Sequence, residues 1–267
     1  MTAIQVPVTV FDNSADLARA AAAEIADGIE RAARADRAYV LGCPGGRTPR
    51  ETYAALSNEV RARELDLAHV VIAMMDDYVT VDADGRFTHV PADAHFSCRR
   101  FAHDEIQTPL NAAAPAGRTI PAANVWVPDP QDPAAFDAQV AAAGGYDLFL
   151  LASGAGDGHV AFNPPGSARH SVTRVVELAD STRQDNMETF PEFESLDDVP
   201  RHGVTVGIET IAGLSRRVLL LLTGPDKHHA FRMITEASGY DTNWPATVVH
   251  EAADAAIYAD RAAVGQL

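Results

Sequence analysis

The stretch that decides the fold is Leu148-Phe149-Leu150-Leu151-Ala152-Ser153-Gly154-Ala155-Gly156-Asp157-Gly158-His159-Val160-Ala161-Phe162-Asn163-Pro164-Pro165-Gly166. Five apolar residues lead straight into a glycine-rich turn that delivers an Asp, a His and an Asn. An unbroken apolar run of this length reads as a strand buried on both faces, as in parallel sheets. Ligands of such open sheets bind outside the carboxyl ends of the strands. The turn at 153–166 is therefore the first place to seek a site.

Three more apolar segments end in polar turns. Residues 37–43 run into Pro44-Gly45-Gly46-Arg47-Thr48-Pro49, residues 69–75 into Asp76-Asp77-Tyr78, and residues 217–223 into Gly224-Pro225-Asp226-Lys227. Further strands are expected at 4–10, 125–127, 171–178, 203–206, 246–250 and 255–258. Helical spacing covers 17–33, with Asn13 or Ser14 as its cap, and a helix follows the 44–48 turn to about residue 63. Thr48, Pro49 and Glu51 there fit a capped start with a T-x-x-E box. Other helices are expected at 133–143, from Ser181, at 208–214 and at 228–237. Residues 80–123 are less regular, with a helix at 93–101 and a surface loop at 111–117; residues 190–200 read as an exposed connection. Strands alternating with helices predict an α/β fold: a mostly parallel sheet with helices on both faces, one domain over 1–267. If the four strands are parallel neighbours, their four turns open on one edge.

Composition excludes several classes of function. The 267 residues are 47% hydrophobic and 22% charged, with a formal charge of −16. That charge repels nucleic acid and anionic membranes, so neither is expected as a partner. With no 18-residue apolar run and no signal-like N-terminus, a cytoplasmic location is expected. Cys43 and Cys98 give neither a disulfide framework nor zinc spacing, and the histidines lack carboxylates at ligand spacing. No metal and no organic cofactor are expected.

The turns carry recognisable chemistry. Gly45-Gly46-Arg47-Thr48 before a helix offers backbone N–H groups, a hydroxyl and a positive dipole end, which suits an oxyanion such as phosphate. The loop lacks the endings of the common nucleotide motifs. Lys227 is the chain's only lysine beside twenty arginines, which fits a site wanting a compact ammonium. Asp76 and Asp77 sit close enough to push one pKa up, useful for a general base. Asp157 two residues before His159 fits a carboxylate orienting an imidazole. No Ser or Cys lies in a nucleophile-elbow context, so a hydrolase triad is not supported.

Taken together, six segments in order resemble the glucosamine-6-phosphate deaminase/isomerase family, which includes the 6-phosphogluconolactonases. They are L-G-C-P-G-G-R-T-P (41–49), M-M-D-D-Y-V (74–79), D-G-H-V-A-F-N (157–163), T-R-V-V-E-L-A-D-S-T-R (173–183), V-T-V-G-I-E-T-I (204–211) and L-L-T-G-P-D-K (221–227). The resemblance implies a modified Rossmann-like fold. H-V-A-F-N and M-D-D-Y are similar to the deaminase branch, whereas G-G-R-T-P is nearer the lactonase pattern.

The deaminase resemblance implies an aldose–ketose isomerase/deaminase acting on an amino-sugar phosphate. Asp76 is then the base that shuttles a proton between C1 and C2, and His159, oriented by Asp157, assists ring opening. Gly46, Thr48 and Lys227 are the expected phosphate contacts, with Gly45, Arg47, Asp77 and Asn163 also at the substrate. The lactonase resemblance implies instead a lactone hydrolase in which His159 activates water. A non-catalytic sugar-phosphate binding protein is a third reading. The family spans monomers to hexamers, so a homo-oligomer is admitted.

Two departures bear on the choice. Pro164 replaces a Glu that supports the catalytic His in the deaminases, and Glu188 stands where they carry a phosphate-gripping Arg. Either Arg47 takes over the grip or the substrate differs from the family's usual one. Val176 replaces a Lys of allosterically regulated deaminases, so no amino-sugar effector control is expected.

Overall fold

The computed structural model describes residues 6–265. Its strands are β1 (Val8–Phe11), β2 (Tyr39–Cys43), β3 (Val70–Met74), β4 (Asp76–Val81), β5 (Phe87–His89), β6 (Val125–Trp126), β7 (Leu148–Ala152), β8 (Arg174–Glu177), β9 (His202–Thr205), β10 (Val218–Leu222) and β11 (Ala255–Asp260). Seven of them form a parallel sheet in the order β1-β11-β10-β7-β2-β3-β6. Chain order runs outward in one direction through β2, β3 and β6, and in the other through β7, β10 and β11. The reversal falls between β2 and β7, where an open α/β sheet leaves its ligand crevice.

Side-chain alternation along these strands separates two cores. Leu41, Ile72, Leu150 and Leu221 pack with Leu17, Ile25, Leu56 and Val60 of the helices Ser14–Arg34 and Arg50–Arg63. Val40, Val71, Phe149 and Leu220 face the other way, onto the helices Pro133–Ala142, Ile208–Leu214 and His228–Glu236. Each such buried side chain contributes about 1.5–3 kcal/mol relative to exposure. Apolar residues at adjacent strand positions thus hold helices on both faces, as the unbroken apolar runs predict.

The structure departs from the sequence reading in several places. Asp76 to Tyr78 is not a turn; it opens β4, which belongs to a second, antiparallel sheet in the order β5-β4-β9-β8. The helix after the glycine loop begins at Arg50, and Pro49 precedes it without a side-chain cap. The expected capping box is not formed, because residues 47–50 first close a turn, Arg50 N–H donating to Arg47 O at 3.3 Å. The strand expected at 246–250 is a 3₁₀ segment, Pro245–His250. Pro245 cannot donate to a ladder, and the Thr247 hydroxyl donates back to Trp244 O at 2.7 Å.

Differences elsewhere are of extent and burial. The helix expected at 93–101 is shorter at its start, Cys98–Phe101, and runs on through a π-helical turn, Ala102–Gln107. It continues as Thr108–Ala113, which takes up part of the loop expected at 111–117. Within 190–200, Phe193 and Val199 are buried rather than exposed. Phe193 joins His95, Phe96 and Phe190 in an aromatic cluster beside Tyr78. Residues 4 and 5 of the first expected strand lie outside the described residues.

Candidate active site

The carboxyl ends of β2, β3, β7 and β10 open on one cavity of about 850 Å³, mouth included. It brings together Gly45, Gly46, Arg47, Thr48, Asp76, His159 and Lys227. Asp157 stands behind His159, while Asp77 and Asn163 point elsewhere.

The glycine loop presents a row of backbone donors. Among the described residues, the backbone N–H groups of Gly45, Gly46, Arg47 and Thr48 reach no acceptor. Gly46 has φ of +86°, a conformation that side chains other than glycine's make costly. The Tyr53 hydroxyl donates to Pro44 O at 2.9 Å and ties the loop to the following helix.

Asp76 faces the cavity as the first residue of β4 and is 6% exposed. Its Oδ1 accepts a hydrogen bond from the Cys98 thiol at 3.4 Å. Burial pushes its pKa up to about 7; Asp77 adds to the rise, while the Cys98 thiol and His159 oppose it. Asp77, next along the strand, is fully buried on the opposite side. It accepts from the Cys98 backbone N–H at 2.9 Å, from His89 at 3.0 Å and from Arg99 at 3.2 Å. The sequence expectation of Asp77 at the substrate is corrected on that ground. Strand alternation turns its carboxylate away from the cavity, and there it holds the segment that carries Cys98.

The Asp157–His159 pair has the expected geometry. Asp157 Oδ1 lies 2.7 Å from His159 Nδ1 and accepts the His159 backbone N–H at 3.0 Å, while its Oδ2 accepts the Ser181 hydroxyl at 2.6 Å. Burial alone would raise Asp157, but the His159 ring and Ser181 hold it well below the usual carboxylate range. With Nδ1 committed to Asp157, the free Nε2 is the atom left for chemistry. Gly154 makes room for the pair: a Cβ there would lie 2.2 Å from His159 Nδ1 and 2.5 Å from Asp157 Oδ1.

Asn163 is a second correction. It is fully buried, its amide donates to Val160 O at 3.0 Å and Val206 O at 2.8 Å, and its oxygen accepts from Arg174 at 2.9 Å. It fastens the loop after His159 to the second sheet and does not line the cavity. Pro164 is likewise no part of the lining; its carbonyl accepts the Ser167 hydroxyl at 2.7 Å.

The expected anion contacts carry carboxylates of their own. Arg47 pairs with Glu188 at 3.3 Å, both largely exposed, and Lys227, only 12% exposed, lies 3.4 Å from Asp226. These groups also line an adjoining hollow with Thr48 and Thr223. Among the described residues no group of three His, Cys, Asp or Glu side chains is placed to hold a metal ion.

Among the cavity residues that sequence reasoning missed are Cys98, Asp185 and Asn186. Cys98 comes from an irregular segment with no local signal for its place beside Asp76. Asp185 and Asn186 come from the helix Asp180–Thr189 and also line the cavity. Their signal was legible, since Ser181, Asp185 and Glu188 recur at helical spacing and share one face.

Comparisons with known proteins give the chain its family. The family model described as glucosamine-6-phosphate isomerases/6-phosphogluconolactonase matches residues 12–258. The chain belongs to that family. A glucosamine-6-phosphate deaminase of Pseudarthrobacter chlorophenolicus is 36% identical over 243 residues, 91% of this chain and 86% of that protein. Among solved structures, a monomeric glucosamine-6-phosphate deaminase aligns with a TM-score of 0.82 at 28% identity, covering 97% of this chain and 98% of the other. A 6-phosphogluconolactonase from Shewanella baltica aligns at 0.70 with 17% identity, over 97% and 100%. The second likeness shows the shared fold alone. The chain is thus a deaminase/isomerase-like enzyme of its family. No helix among the described residues is long and apolar enough to cross a membrane.

Proposed function

We propose that this enzyme interconverts an aldose and a ketose phosphate with loss of an amino group, acting on a substrate like glucosamine 6-phosphate. The observation that carries the reading is the buried carboxylate of Asp76, raised to about 7, in one cavity with His159 and the free N–H groups of the 45–48 loop. Proton abstraction beside a carbonyl needs a base whose pKa lies near working pH, and burial supplies that tuning.

In this reading the substrate's phosphate takes the N–H groups of Gly45 to Thr48, with Arg47 and Lys227 as counter-charges. His159, held by Asp157 through Nδ1, uses Nε2 to move the proton of the ring oxygen as the sugar opens. Asp76 then takes the proton from C2 and returns it at C1, and the amine leaves as ammonia when water adds at C2. Cys98 helps hold Asp76 in its ionised form by donating to it.

A direct test compares ammonia release from glucosamine 6-phosphate with hydrolysis of 6-phosphogluconolactone by the same preparation. Turnover of the amino sugar with no lactone hydrolysis above background is expected. The reverse pattern establishes the lactonase reading, and binding of either sugar phosphate without turnover of either establishes a non-catalytic binding protein.

A further inference from the structure

The helix Asp180–Thr189 contributes two polar groups to the cavity that the protein itself leaves unpartnered. The Asp185 carboxylate lines the cavity with Asp76, His159 and Lys227, yet it forms no side-chain hydrogen bond or ion pair with any described residue. Lys227, which lines the same cavity, lies instead on Asp226 at 3.4 Å. Beside it, the buried Asn186 Nδ2 also has no hydrogen-bond partner. Asp185 is half-buried, and holding a charge there without a partner is costly, so a ligand that supplies a partner completes the cavity. Burial pushes the Asp185 carboxyl above its usual range and Asp157 and Glu188 add to the rise, while His159 and Lys227 favour the ionised form.

Placement narrows the ligand to a cation. The proposed phosphate end lies at the 45–48 loop, and the reacting carbons must lie between Asp76 and His159. An amine on C2 is one bond from the carbon that Asp76 deprotonates, so it must sit within the same part of the cavity. Asp76 is engaged by the Cys98 thiol and needed as base, which leaves Asp185 as the carboxylate free to pair. A neutral hydroxyl does not offset a buried negative charge as an ammonium does.

On this basis we infer that Asp185 is a specificity-determining residue that pairs with the protonated amine of the substrate and selects amino sugars over their hydroxyl counterparts. The inference rests on the amino-sugar phosphate reading above and assigns its cationic end to a residue that none of the six family segments contains.

The test uses two ligands without a C1 carbonyl, which the enzyme cannot turn over: 2-amino-2-deoxyglucitol 6-phosphate and glucitol 6-phosphate. Dissociation constants are measured calorimetrically for the wild-type chain, Asp185→Asn and Asp185→Glu, each checked for an unchanged melting curve. The wild type is expected to prefer the amino ligand by about tenfold or more, the size of one charge-assisted hydrogen bond. Asp185→Asn should bring the two ligands within about twofold, chiefly by weakening the amino ligand, and Asp185→Glu should restore part of the preference. Retention of the preference in Asp185→Asn, equal weakening of both ligands, or no preference in the wild type overturns the inference. If the wild type still releases ammonia from glucosamine 6-phosphate in that case, the functional reading stands without it. A wild type that binds neither ligand and turns over no amino sugar overturns both.

Discussion

The two ends of the cavity are built on opposite physical terms. At the chemical end, Asp76 and Asp157 are packed away from solvent, and their neighbours drive them apart. Burial raises the first to about 7, while a histidine and a serine hold the second well below the usual carboxylate range. At the phosphate end, Arg47 and Glu188 are 53% and 69% exposed and meet at 3.3 Å in water. Water screens an exposed pair until it is worth about 0–1 kcal/mol. Burial makes the chemical end intolerant of change, and exposure makes the phosphate end adjustable.

Substitutions should expose the asymmetry, beginning where the effect is greatest. Asp76→Asn is expected to lower kcat by about 10³-fold, measured by ammonia release. The same change should raise the melting temperature at pH 8. The folded-state pKa of Asp76 lies above its unfolded value, so its contribution to stability is full below about pH 4 and is lost as pH rises through about 7. An amide never ionises and escapes that loss, so a lower melting temperature for Asp76→Asn at pH 8 would contradict the burial argument.

Asp157→Asn removes the carboxylate charge that faces the His159 ring and should cost about 10²-fold in kcat with KM little changed. A rise in KM alone would place Asp157 in binding instead. At the other end, Lys227→Gln should raise KM for the sugar phosphate by roughly tenfold while leaving kcat nearly intact. Cys98→Ala removes a hydrogen bond that lowers the Asp76 pKa, and the acid limb of the pH profile should move up by about half a unit. The smallest effect is expected for Glu188→Gln, which frees Arg47 and should lower KM by about twofold. A large loss of activity there would end the distinction between the two ends.

The same asymmetry governs what could be read from sequence. Turns that follow apolar parallel strands were legible because one stretch of chain holds both the strand and its chemistry: Gly45 to Thr48, Asp157 with His159, and Lys227. Residues whose positions depend on distant partners were not. Asp77 and Asn163 look like site residues beside Asp76 and His159, yet Asp77 anchors the Cys98 segment and Asn163 bonds to Val206 across 43 positions of chain. The second sheet was hidden because β4 was read as the turn after β3 and its partner β9 lies far along the chain, so the strands expected at 171–178 and 203–206 had no visible neighbour. Cys98 reaches Asp76 by that route alone. The helix face of Ser181, Asp185 and Glu188 was readable in principle from its spacing, but only the position of Glu188 drew notice, through family likeness.

The central claim is that a carboxylate buried at the end of β3 is the working base. Its most direct test is the pH dependence of kcat/KM for glucosamine 6-phosphate between pH 5 and 9, corrected for the substrate's own phosphate ionisation near pH 6 and amine ionisation at about 8. Because Asp76 must be ionised to accept a proton, kcat/KM should be level at high pH and fall tenfold per unit below an apparent pKa of about 7. A corrected profile that stays level down to pH 5, as an ordinary exposed carboxylate would give, contradicts the assignment.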